Sequence, residues 1–175
     1  MQDMMNLVEP LIPALRRYAR SMVPNRALAD DLVQDCLERA IARWHQRRTD
    51  GDARAWLFSI LHNLAISHLR QTKRRGYHDD IDDADEGVVA TRATQGDSLA
   101  YNDLMKAVQR LPEEQRSVLL LVSVEDLSYA ETAAVLSIPL GTVMSRLSRA
   151  REKLLALMET GAVAVPSHPF LRRVK

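Results

Sequence analysis

Residues 76–98, GYHDDIDDADEGVVATRATQGDS, show no hydrophobic period, and six of the eight residues in 79–86 are acids. A stretch of this kind buries too little apolar surface to offset the entropy of ordering it. It reads as a flexible acidic linker, spanning about 25 Å as a coil. The constraint is severe, because the rest of the 175-residue chain must then fold on either side of it. Each piece is small enough that a core of its own is only just sufficient. With apolar residues at 46% and aromatics at 5%, those cores must be built mostly from Leu, Ala, Val, Ile and Met.

Both flanks carry helical periodicity. Leu7, Leu11, Leu15, Tyr18 and Met22 recur at three- and four-residue steps, with Pro10 and Pro13 near the start or at a kink. Pro24-Asn25 breaks the pattern, and a second helix is predicted over 27–46 with Leu28, Leu32, Cys36, Leu37, Ala40, Ile41 and Trp44 inward. Turn chemistry at 47–52 leads into a third helix over 53–75, striped by Trp56, Leu57, Ile60, Leu61, Leu64 and Leu69. Beyond the linker, Leu99, Leu104 and Val108 lead to Leu111-Pro112-Glu113-Glu114, a helix start marked by proline and two acids. Ser128 with Glu131 is a capping box, and Ser137-Ile138-Pro139 stops the short helix it opens. A last helix runs over 140–158 with Val143, Leu147, Ala150, Leu154 and Leu157 buried. No strand is predicted. The fold class is therefore all-α: two small helical domains, 1–75 and 99–158, a linker over 76–98, and a mobile tail over 159–175.

The formal net charge of +1 conceals a strong division. Residues 1–75 carry 13 Lys/Arg and 8 Asp/Glu, 76–103 carry one and 8, and 104–175 carry 10 and 7. Two basic blocks flank an acidic one, a hint of a nucleic-acid partner. One cysteine excludes a disulfide framework or a multi-thiolate zinc site and fits a reducing cytosol. No basic segment precedes an apolar one in MQDMMNLVEP, and no run approaches the roughly 20 apolar residues of a membrane span, so a cytoplasmic protein without membrane insertion is expected. His62 and His68 are spaced for different helix faces. Neither metal-ligand spacing nor a phosphate loop nor a nucleophile–base pair emerges, so no enzyme, cofactor or metal is expected.

Three surfaces carry functional signals. The capped helix, short turn and long helix around Ser137 match a helix-turn-helix. Its second helix sets Arg146, Arg149 and Lys153 at steps of three and four, with Ser145 and Ser148 on or beside that face. Arg can bridge guanine O6 and N7, and Ser can donate or accept, while Arg151 is better placed for phosphate. An ordinary basic, solvated helix would show the same spacing. On the third helix, Ser59, His62, Asn63, Ile66, Arg70 and Lys73 line one side and Arg74 and Arg75 close it. That row suits a nucleic-acid backbone with some base reading, or a solvated face with cations at the negative helix end. Asp31, Gln34, Asp35 and Glu38 form an acidic face that DNA would reject; it faces solvent or docks a basic protein surface.

Three runs, LADDLVQDCLERA (28–40), RAWLFSILHNLAISHLRQTKRR (54–75) and LPEEQRSVLLLVSVEDLSYAETAAVLSIPLGTVMSRLSRAREKL (111–154), together resemble bacterial extracytoplasmic-function (ECF) RNA polymerase sigma factors. GTVMSRLSRARE is similar to a branch that includes proteobacterial stress-response regulators. The resemblance implies a transcription initiation factor with core RNA polymerase, promoter DNA and an anti-sigma factor as partners. It implies that Asp31, Gln34, Asp35 and Glu38 meet the polymerase β′ clamp coiled coil, and that 111–124 helps engage the β-flap. It further implies minus-ten recognition and melting by Arg47, Arg48, Asp50, His62, Asn63, Arg70, Lys73, Arg74 and Arg75. Minus-thirty-five recognition would fall to Thr142, Met144, Ser145, Arg146, Ser148, Arg149, Arg151 and Lys153. Met144 stands where many relatives carry Lys or Arg, and Ser137 where Gly is common, so a strained turn is expected there. The alternative is a sigma-like decoy that titrates an anti-sigma factor without touching DNA, which would have no use for Arg70, Arg74, Arg75, Arg146 or Arg149.

Overall fold

The computed structural model describes residues 2–47, 52–75 and 95–160, and every regular element among them is helical. Helix α1 (Gln2–Val8) meets α2 (Ile12–Met22) through a 3-10 turn at Glu9–Leu11, where the prolines permit the change of pitch. Met4 and Val8 of α1 are buried, whereas Leu7 is exposed. The interruption resets the helical phase that the continuous pattern from Leu7 assumed.

Helix α3 (Arg26–Arg43) is capped by Asn25, whose side chain accepts from the Leu28 amide at 2.9 Å. It closes in a 3-10 turn at Trp44–Gln46. Ala29, Leu32, Val33, Cys36 and Ala40 form its buried face, while Ile41 lies outside. Helix α4 (Ala53–Arg74) starts at Asp52, whose carboxylate accepts from the Arg54 amide at 2.8 Å. Phe58 sits edge-on to Tyr18 with ring centroids 5.5 Å apart, and Trp44 meets Trp56 in a similar arrangement. Cys36 is buried with its thiol pushed up to about 12 by desolvation, an inert group.

Helix α5 (Gln95–Gln109) begins four residues inside the expected linker. Helix α6 (Glu113–Ser123) is followed by α7 (Tyr129–Leu136), opened by the expected capping box: Glu131 N–H to Ser128 Oγ at 3.1 Å and Ser128 N–H to Glu131 Oε2 at 2.7 Å. Helix α8 (Leu140–Thr160) completes the helix-turn-helix. Ser137 ends α7 in the left-handed region, at φ 54° and ψ 45°. The Ile138 amide reaches back to the Ala133 carbonyl, satisfying one of the last orphan acceptors. A side chain at that φ costs about 1 kcal/mol relative to glycine. Ser137→Gly therefore raises stability by about 1 kcal/mol, read as a higher urea midpoint at unchanged slope; an unchanged midpoint would show that the turn is unstrained.

The two halves do not stand apart. Buried side chains from α2, α3 and α4 belong to one cluster with those from α5 through α8. Arg116 of α6, itself buried, donates to the Met22 carbonyl at 2.7 Å and to the Gln109 and Leu111 carbonyls at 2.6 and 2.9 Å. Gln109 donates to the Ser21 carbonyl at 2.7 Å. These donors satisfy carbonyls at the end of α2 that the helix itself leaves free. Arg17 of α2 grips Glu125, in the α6–α7 loop, with two bonds of 2.8 and 2.6 Å, and Arg54 of α4 donates to the Glu125 carbonyl.

Candidate nucleic-acid and polymerase interfaces

The acidic row on α3 is open. Asp31, Gln34, Asp35 and Glu38 are all exposed, and Gln34 donates to Glu38 at 3.1 Å. Their spacing alternates with the buried residues Leu32, Val33 and Cys36, so packing of the apolar face turns the acids outward. Asp35 also lines a groove between α3 and α4 with Ser67, His68, Arg70 and Arg74. The structure thus brings part of the acidic row beside part of the basic one.

Along α4 the expected row divides. Asn63, Arg70, Lys73, Arg74 and Arg75 are exposed. His62 is half-buried, with its Nδ1 hydrogen-bonded to the Tyr18 hydroxyl at 3.0 Å. Burial, then the nearby Arg70 cation and to a lesser extent Arg146, lower its pKa to about 4, against an opposing effect of Glu113. His62 is therefore a neutral imidazole at the junction of the halves. Arg47 lies over the Trp44 ring at 4.7 Å. Arg48 and Asp50 lie outside the described residues.

On α8, Val143, Leu147, Ala150 and Leu154 point inward, with Met158 rather than Leu157 extending the buried stripe. Met144, Ser145, Ser148, Arg149 and Lys153 are exposed, and Thr142, Arg146 and Arg151 are half-buried. Ser145 donates to the Thr142 carbonyl at 3.1 Å and Ser148 to Glu152 at 3.3 Å. Arg146 is ion-paired with Glu114 at 3.0 Å, and Lys73 of α4 with the adjacent Glu113 at 3.1 Å. The first turn of α6 thereby holds one cation from each basic helix.

Periodicity did not single out Arg17, Arg54, Arg116 or Glu125. Arg116 offered the one available clue, a cation three and four residues before Leu119 and Leu120 on an apolar stripe. No group of acidic, histidine or cysteine side chains suited to a metal occurs among the described residues. Nor is any helix there long and apolar enough to cross a membrane.

An all-helical fold with a capped helix-turn-helix and exposed cations on its second helix fits the class of DNA-binding proteins. Residues 8–62 match the family described as the Sigma2 domain of PhyR, and residues 101–154 match Sigma-70, region 4. The chain is 37% identical over 150 residues to the ECF RNA polymerase sigma factor EcfG of Rhodopseudomonas palustris, covering 84% of this chain and 80% of that protein. It is 35% identical over 133 residues to ECF sigma factor SigC of Mycobacterium tuberculosis, covering 73% and 69%. Among solved structures, the sigma factor RpoE of Bartonella quintana, in complex with the anti-sigma factor NepR, is 33% identical with a TM-score of 0.75, over 91% of this chain and 98% of that one. The chain belongs to the ECF RNA polymerase sigma factors, which are transcription initiation factors.

Proposed function

We propose that this chain binds core RNA polymerase through Asp31, Gln34, Asp35 and Glu38, and that its two halves divide promoter recognition between them. Residues 1–75 act as region 2 and residues 99–158 as region 4. In region 4, α8 enters the major groove of the minus-thirty-five duplex, with Arg149 at base edges and Arg151 and Lys153 toward phosphates. In region 2, α4 and residues 47–52 before it receive the minus-ten strand. Asn63 and residues 47–52 take an unstacked base, while Arg70, Arg74 and Arg75 hold the backbone. Unstacking costs a few kcal/mol, which stacking and phosphate contacts offset.

The observation that carries this reading is the coexistence of an open acidic row on α3 with exposed cations on α4 and α8. A decoy would need only the former. Run-off transcription with purified core enzyme on a genomic promoter pool tests it: specific transcripts are expected, and no stimulation on any template overturns it. Arg149→Ala is expected to weaken minus-thirty-five binding about tenfold, the value of one bidentate base contact, with core affinity unchanged. A fall in core affinity would show that α8 serves another surface. RpoE solved with the anti-sigma factor NepR, and CnrH solved with the cytosolic domain of CnrY, support an anti-sigma partner here too. Co-purification from the native host would identify it.

A further inference from the structure

Met144 is an exposed apolar side chain on α8, with Leu140, 49% exposed, one turn before it and polar or charged groups on its other exposed sides. It is 53% exposed at the second turn of α8, although methionine is among the residues most often buried. The polar side chains around it are already bonded within the molecule. Ser145 donates to the Thr142 carbonyl, Ser148 donates to Glu152, and Arg146 is paired with Glu114. Leu140, Met144 and Ser148, at four-residue steps, share a flank of the helix, so this flank presents Leu140 at its start and the Met144 thioether in the turn that follows. The major groove offers an apolar feature of matching size at its edge, the C5 methyl group of thymine; the other edges there are hydrogen-bond donors and acceptors. Against cytosine's amino group or guanine's acceptors, the same side chain would desolvate a polar edge without pairing it. Its unbranched chain can follow the methyl group without strain.

We infer that Met144 is a specificity-determining residue, reading a thymine methyl group in the minus-thirty-five duplex. The inference rests on α8 being the duplex reader proposed above, and its test separates the two. The full chain assembled with core polymerase is used to select minus-thirty-five duplexes from a randomised library. Each thymine of an enriched duplex is then replaced singly by deoxyuridine, which removes the methyl group and leaves the pairing edges intact. At one position, binding is expected to fall about fourfold, the worth of one buried methyl-sized group. With Met144→Ala the same replacement has no effect, and with Met144→Leu the penalty persists. If duplexes are enriched but every uracil replacement is silent, or Met144→Ala keeps the full penalty, the assignment of Met144 is overturned while α8 remains the reader. If no minus-thirty-five sequence is enriched, the reader itself is wrong, and the assignment falls with it.

Discussion

Arg17→Ala opens the molecule. Glu125 has a side chain with no solvent exposure, and Arg17 is its bidentate partner. Removing the guanidinium leaves a buried carboxylate without compensation, a loss of about 3–5 kcal/mol where both partners are deep. Arg17 is 49% exposed, which places this pair at the lower end, about 3 kcal/mol. The carboxylate lies where α2 and α4 meet the α6–α7 loop, so it regains water when the halves part, without any helix unfolding. A larger radius of gyration by small-angle scattering is expected, with helical circular dichroism unchanged. The double variant Arg17→Ala/Glu125→Ala, having no anion to hydrate, returns part of the way to the closed dimensions. Scattering from Arg17→Ala that superimposes on the wild type would show that the remaining contacts, the bonds of Arg116 and Gln109 to the end of α2 among them, hold the halves without this pair.

The second large effect concerns pH. His62 has its folded pKa lowered to about 4, from an ordinary value near 6.5, by burial against Tyr18 and by Arg70 and Arg146. Above pH 6.5 the imidazole is neutral in both folded and unfolded chains, and its full contribution is present. As pH falls below 6.5 the unfolded chain takes up a proton that the folded one refuses, so stability declines until about pH 4. The whole window is worth about 3 kcal/mol, and about 2 kcal/mol is lost between pH 7.5 and 5. Urea unfolding at those two values is expected to show this loss in the wild type and a much flatter response in His62→Gln. Equal responses would place the acid sensitivity elsewhere. Because His62 bonds to Tyr18 of α2 and lies near the Arg70 and Arg146 cations, its protonation also strains the junction between the halves.

Local chemistry made most of the helices legible. Asn25, Asp52 and Ser128 begin α3, α4 and α7 as their side chains dictate, and Ser137 adopts the left-handed turn expected of its position. Errors of face were small and had physical causes. The 3-10 turn at Glu9–Leu11 shifted the phase of α1, so that Met4 and Val8 are buried in place of Leu7. In α4 the fully buried Phe58 lay beside the expected stripe. The exposed acids on α3 and cations on α8 were equally legible, because amphipathic helices turn such residues outward. What periodicity could not reach is the clasp between the halves. Arg17 and Glu125 are 108 positions apart, and a pair of opposite charges at that distance in sequence looks like any other two surface residues. Nor could it tell that His62, in a polar row, would meet the Tyr18 hydroxyl instead of water.

Glu113 and Glu114 give the first turn of α6 a bearing on how salt acts. Lys73 and Arg146 already have carboxylate partners in the free chain. If either moves to a DNA phosphate it exchanges one anion for another, and the phosphate's displaced counterion is balanced by one condensing near the vacated glutamate. The slope of log affinity against log salt, about 0.9 per neutralised phosphate for duplex DNA, then counts fewer contacts than the complex makes. Neutralising Glu113 and Glu114 would steepen that slope without adding a single contact to DNA.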